Sequence, residues 1–323
     1  MKTGEMGVKK TSFSKFMAEN NIYVFFVILF IVCAVSSANF LSDINLTNIL
    51  RQYSPYVVMA LGMLLVIMTG GIDLSVGSII ALANVVCAML LTDMGLPAFL
   101  SVLVALLVGT ACGLVSGLLI AYKNIAPFIA TLAMMTITRA LAFVLTDAVN
   151  IRIYDEASVE FGSGYFMSMD GFVGLPYQLL VMIPIVAVIF LILKYTSYGR
   201  LVIAVGSNRE AVRLSGINDK AITLSVYCIS ALCASIAAIM IVFRGRLASG
   251  SLGDGLELDA IAACVIGGAS LSGGKGSAIK TVVGVFVLAL IGNIMTLLNV
   301  PSYPQDIIKG IIILLAVLFQ KSK

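Results

Sequence analysis

Histidine and tryptophan are absent from the 323 residues, and only 11% of the residues are charged. The lack of histidine removes the usual general base, metal ligand and proton relay near neutral pH. The six cysteines (Cys33, Cys87, Cys112, Cys228, Cys233, Cys264) sit inside apolar runs with no paired metal spacing, which reads as buried packing thiols. The scarcity of charge excludes a soluble domain of this length. The net charge of +4 comes from short loops and tails, so it bears on membrane topology and does not call for nucleic acid.

What is present is apolar. Hydrophobic residues make up 60% of the chain, with a mean hydropathy of +1.10. They fall in runs of about 17 to 26, near the ~20 residues that span a ~30 Å hydrocarbon core. A β-barrel would instead show alternating strands of about ten residues. The fold class is therefore all-α: a polytopic membrane helical bundle. Ten spans are expected, at about 22–38, 53–69, 75–92, 96–122, 126–146, 177–195, 222–243, 258–273, 279–298 and 305–320. They form one transmembrane domain over 22–320 with short ends at 1–21 and 321–323. Lys2, Lys9, Lys10 and Lys15 place the N-terminal tail in the cytoplasm by the positive-inside rule, and ten crossings return Lys321 and Lys323 to the same side. With no small-residue cleavage site after it, the first run reads as a retained helix. The acidic loop 147–176 is then extracytoplasmic, and the loop 196–221, with Arg200, Arg209, Arg213 and Lys220, is cytoplasmic.

Two stretches interrupt this pattern. Gly70–Ser78 reads GGIDLSVGS, and Gly267–Gly274 reads GGASLSGG. Both have two glycines, two variable residues, Leu-Ser, one residue and glycine. Each glycine in a helix costs about 1 kcal/mol relative to alanine. At membrane depth a loosened backbone is tolerated only where protein buries it or where it lines a cavity. Both stretches are therefore expected to be broken helices facing the bundle interior. Their separation of 197 residues suggests a parallel duplication, 53–122 against roughly 250–320. Gly70, Gly71, Ser75, Gly267, Gly268, Ser270 and Ser272 become candidates for the translocation path.

The polar stretch Gly199–Ala221 is the next most informative. Ser207-Asn208-Arg209-Glu210 fits a capping box, with serine at the N-cap and glutamate at N3. A short helix is expected over 208–215, ended by Gly216. Ala211 and Leu214 would share one face, and Arg209 and Arg213 another. Such a helix serves either as a connector or as a docking element for a cytoplasmic partner.

Six polar residues stand inside or beside apolar runs. Asp73 follows the first break; an ionisable group at membrane depth costs about 2.5–3.5 kcal/mol on insertion scales and is a functional candidate by default. It also suits a helix N-cap, and near the surface it would be wet. Arg139 lies deep in the run 126–146, placed to pair with an acid such as Asp73 or to snorkel. Asn84 and Asn293 are suited to interhelical hydrogen bonds. Glu257 and Asp259 open the short eighth span. Gly267–Ser277 invites a phosphate-loop reading, but Ala269 stands where that loop needs its first glycine, so the chain has no ATP site of its own.

MTGGIDLSVGSI (Met68–Ile79), EAVRLSGI (Glu210–Ile217) and LELDAIAACVIGGASLSGGKGS (Leu256–Ser277) together resemble the permease subunit of bacterial sugar ABC importers. The resemblance runs from about Asn39 to Val317 and is strongest toward the group carrying ribose, galactose, xylose, arabinose and autoinducer-2. It implies a ten-helix subunit of the inner membrane, paired with a second copy or a related permease and surrounded by lipid. It implies a cytoplasmic ATPase with two fused nucleotide-binding domains and an extracytoplasmic sugar-binding protein. ATP and Mg would be bound by the ATPase, and this chain would carry no cofactor. The family's coupling segment falls on Glu210, Ala211 and Gly216; Val212 departs from the Glu-Ala-Ala pattern. The implied function is alternating-access passage of a monosaccharide, ribose or a related sugar. Three other readings stay open: an ion-coupled secondary carrier, a branched-chain amino acid permease and a membrane enzyme. The first would need a buried acid in the path, for which Asp73 is the candidate. The second turns on the partner's ligand. For the third, no nucleophile–base pair or metal cluster is present.

Overall fold

The computed structural model describes residues 21–169 and 173–319. Nearly all of the expected cytoplasmic tail, Asp170 of the acidic loop, and Lys321 and Lys323 lie outside the described residues. Thirteen α-helices form among those described: α1 (Asn21–Ser36), α2 (Asp43–Met68), α3 (Val76–Ala88, continued by a π turn at Met89–Asp93), α4 (Ala98–Lys123), α5 (Pro127–Thr146), α6 (Glu156–Ser163), α7 (Gln178–Tyr195), α8 (Ser197–Ser207), α9 (Arg209–Leu214), α10 (Asp219–Gly245), α11 (Leu256–Ile266), α12 (Ala278–Leu297) and α13 (Ser302–Phe319). Seven are long and apolar enough to cross a membrane: α2, α3 with its π turn, α4, α5, α7, α10 and α12. The chain is an all-α polytopic bundle, and each of the ten expected spans overlaps one of its helices.

Two boundaries differ from expectation. Helix α2 starts at Asp43 rather than near 53, because Ser42 Oγ accepts from Asn45 N at 3.3 Å and caps an amphipathic first stretch that hydropathy alone passes over. Helix α11 stops at Ile266 rather than 273, where Gly267 and Gly268 end it.

Helix α2 is the axis of the bundle. Every residue from Val57 to Met68 is buried, as expected for a helix that is apolar all round. Of the apolar windows of α2 and α10, 72% and 78% are buried, against 22% in α4 and α7. So α4, α5 and α7 form the outside, where Leu107, Leu118, Ile137, Val144 and Leu191 are exposed. Gly109, Gly113 and Gly117, spaced four apart on α4, bring its backbone against Ser235, Ala231 and Leu224 of α10. Small residues let membrane helices approach closely in this way.

The described parts of the loop 147–176, residues 147–169 and 173–176, are folded. Its strand β1 (Ile151–Arg152) pairs antiparallel with β4 (Leu247–Ala248), Ile151 opposite Ala248. Strands β2 (Tyr165–Phe166) and β3 (Leu175–Pro176) form a second two-stranded ribbon, and Gly162 of α6 lies against the Phe243 carbonyl of α10. The loop thus covers one end of the bundle. Helices α8 and α9 stand at the other.

The candidate coupling and translocation site

The two glycine breaks are one structure made twice. At the first, Gly70 N donates to Ile67 O at 2.9 Å and Gly71 N to Val66 O at 3.1 Å. At the second, Gly268 N donates to Val265 O at 2.8 Å and Ala269 N to Cys264 O at 2.9 Å. This is the Schellman C-terminus, whose turning residue adopts a left-handed conformation that favours glycine. Gly70 has φ +78° and Gly268 φ +84°. The structural match is therefore Gly70 with Gly268. It is displaced by one residue from the alignment of the written motifs, which sets Gly70 against Gly267.

The breaks meet at one end of the bundle. Gly274 N donates to Met68 O at 2.9 Å, tying the second break to the last turn of α2. Gly273 is packed so that an added Cβ would stand 2.8 Å from Gly206 O and 2.9 Å from Gly70 N. A Cβ on Gly206 would overlap the Met68 carbonyl, and one on Gly274 would overlap Ser207 Oγ. Both breaks and the C-terminus of α8 thus share a backbone-to-backbone junction, and α9 begins two residues beyond it.

In α9 the cap differs from the expected capping box. Ser207 ends α8, its hydroxyl donating to Ile203 O. The N-cap is Asn208, whose Oδ1 accepts from Ala211 N at 2.9 Å. The local pattern Ser-x-x-Glu loses because α8 continues through Ser207. Ala211 and Leu214 do not form a buried face; both are exposed, and Val212 is the residue of α9 that packs inward. Arg209 and Arg213 both face Asp219 at the start of α10, at 3.7 and 3.3 Å. Gly216, at φ +77°, closes the helix as expected. Glu210 is exposed.

Asp73 is neither wet nor paired with Arg139. It is buried, and Oδ1 accepts from Ser75 N at 3.0 Å and from the Ser75 hydroxyl, while Oδ2 accepts the Ser230 hydroxyl of α10 at 3.1 Å. It shapes the turn before α3 and ties that turn to α10. Ser75 is the N-cap residue and makes no side-chain cap. Arg139 donates through Nη1 to Gly250 O at 2.9 Å and Leu252 O at 2.7 Å. Asn84 holds the same loop: it accepts from Ser249 N at 3.0 Å and donates to Ser249 O at 3.3 Å. Asn293 forms a reciprocal amide pair with Asn45 of α2, at 2.8 and 3.1 Å, as an interhelical group.

The path candidates therefore separate into groups. Gly70, Gly267, Gly268, Ser270 and Ser272 lie in the two breaks, with Gly71 beside Tyr227. Asp73 and Ser75 stand between the break and α10. Asn84 and Arg139 grip the loop before α11, and Asn293 lies toward the covered end. Gly206, Gly273 and Ser230 were not among the candidates. Gly206 and Gly273 carry a signal of a kind, being glycines within the two stretches singled out, Gly199–Ala221 and Gly267–Gly274; Ser230 in an apolar run carries none.

The chain matches the family described as branched-chain amino acid transport system / permease component over residues 45–317. It is 38% identical over 308 residues to the ribose import permease protein of Haemophilus influenzae, covering 94% of this chain and 93% of that one. It is 40% identical over 309 residues to the ribose import permease protein of Escherichia coli strain K12, covering 95% of each. It is 36% identical over 330 residues to the galactose/methyl galactoside import permease protein of the same strain, covering 98% of each. No solved structure matches the chain.

Proposed function

We propose a function from one premise: the chain belongs to the family of branched-chain amino acid transport system permease components. It is the multi-pass membrane permease subunit of an ATP-binding cassette importer, and an ATPase and a substrate-binding protein are its partners. Its cargo is a monosaccharide, ribose or a sugar close to it. The ATPase carries two fused nucleotide-binding domains and holds the ATP and Mg, and the permease works as a pair. Both termini and α9 face the cytoplasm, and the loop 147–176 faces the sugar-loaded binding protein.

One observation carries this reading. The chain entering α9 packs directly on both broken helices, through Gly206, Gly274 and the Met68 carbonyl. A partner that moves α9 moves the ends of α2 and α11 with it. Packed junctions without side chains shift between discrete arrangements rather than stretching. ATP binding would close the ATPase, displace α8 and α9, and turn the two breaks so that the bundle opens outward; hydrolysis would reset it. This is alternating access about a fixed centre.

The experiment is reconstitution of the chain with its ATPase and binding protein in proteoliposomes. Uptake of radiolabelled ribose that requires both ATP and the binding protein supports the proposal. The family description raises a second reading, a branched-chain amino acid as cargo. ATP-dependent uptake of leucine without ribose would establish that instead.

A further inference from the structure

One cavity lies apart from the glycine junction, toward the covered end of the bundle. Its volume is about 180 Å³, between the first half of α2, α11, the second half of α12 and Gln305 of α13. At ~30 Å³ per water that is room for about six waters, the space of one small polyol. Gln52, Tyr53 and Tyr56 of α2 line it, with Asp259 of α11 and Thr296 of α12. The spacing i, i+3, i+4 puts the three α2 residues on one helix face. Among the described residues, the Gln52 amide and the Tyr53 and Tyr56 hydroxyls take part in no hydrogen bond. Gln52 is exposed and Tyr53 and Tyr56 are half-buried, so their polar ends are open to a ligand.

The wall suits a sugar. An amide offers donors and an acceptor, a carboxylate accepts, and each phenol hydroxyl does both. The Tyr53 and Tyr56 rings, 5.2 Å apart and tilted by 47°, offer apolar faces to ring C–H groups. Opposite them Gly292 leaves room for the Tyr53 hydroxyl; a Cβ there would stand 2.8 Å from Tyr53 Oη. The cavity is also tied to the moving parts. Asp259, Ala260 and Ala263 form its α11 wall, and α11 ends at Ile266 in the second glycine break. Next to the wall, Cys264 Sγ donates to Ala60 O at 3.3 Å and ties α11 to α2.

We propose that this cavity is the permease's own monosaccharide site, whose α11 wall moves when the glycine junction moves. The proposal rests on the sugar-importer reading above. It makes Gln52, Tyr56 and Gly292 specificity-determining residues rather than parts of the coupling device.

The test is uptake of D-ribose and D-galactose into proteoliposomes holding the whole importer, with ATP hydrolysis measured in the same vesicles. In Gln52→Ala and Tyr56→Phe, uptake at limiting sugar should fall by up to about tenfold, the effect of one lost neutral hydrogen bond, while hydrolysis driven by loaded binding protein holds. Gly292→Ala should narrow the cavity and depress galactose more than ribose. Tyr56→Phe keeps the ring and the helix face, so it decides the matter if Gln52→Ala fails to assemble. Unchanged uptake and unchanged sugar ratio in these variants would overturn the site while leaving the importer standing. Uptake and hydrolysis falling together would overturn it too, marking a structural role. A wild-type complex that imports neither sugar would overturn the importer reading first, and the site with it.

Discussion

Asp73 shows how a buried carboxylate can organise a break without a cation beside it. Its two oxygens accept from Ser75 N, Ser75 Oγ and Ser230 Oγ, so the turn before α3 is fastened to α10. In Asp73→Asn an N–H replaces an acceptor oxygen, and a buried mismatch of that kind costs about 1–3 kcal/mol. The complex should still assemble, as judged by co-purification, and vesicle uptake should fall; wild-type uptake in that variant would remove Asp73 from the mechanism. Asn208 gives a second residue-scale prediction. Loss of an N-cap costs about 1 kcal/mol, close to a fivefold change in an equilibrium. Asn208→Ala should weaken retention of the ATPase in a pull-down by about that factor. Ser207→Ala, which leaves the Asn208 Oδ1 to Ala211 N bond in place, should not.

At the scale of elements, the junction of α2, α8 and the second break makes the sharpest prediction. A methyl group at Gly206 has nowhere to go, because the Met68 carbonyl occupies its place. Gly206→Ala should let the ATPase bind and hydrolyse ATP while sugar uptake is lost; hydrolysis and uptake in the same vesicles distinguish this from misfolding. Gly113→Val tests the packing of α4 on α10, where an added Cβ already meets Ala231 and would stand 2.6 Å from the Tyr227 carbonyl. Overpacking of this kind costs about 1–3 kcal/mol, and detergent-resistance melts should show it. How much was legible in the sequence divides along the same line. The apolar runs located the helices, since burial in lipid or protein demands them, and the paired glycines located both breaks. The one-residue offset between the breaks was hidden, because it depends on which glycine turns left-handed. The N-cap was misread because Ser207 and Asn208 are both good caps, and the choice depends on where α8 ends. The junction at Gly206 and the cavity at Tyr53 and Tyr56 join residues distant in sequence, and no local pattern encodes them.

The whole molecule has a buried axis and an apolar jacket. Helices α2, α3 and α10 are enclosed, while α4, α5 and α7 turn apolar side chains outward, as a chain surrounded by lipid requires. Its polar groups are sorted by end: α9 with Arg209, Arg213 and Asp219 at one, the folded loop and the cavity toward the other. In the proposed function such a chain is a conduit whose energy comes from a partner at the α9 end. The most direct measurement is a pull-down of the chain in mild detergent from its native membrane, with every stoichiometric partner identified by mass. The account predicts an ATPase of two fused nucleotide-binding domains, lost when Arg209–Gly216 is scrambled. A chain that emerges alone, and still transports in ATP-free proteoliposomes under an ion gradient, would contradict it.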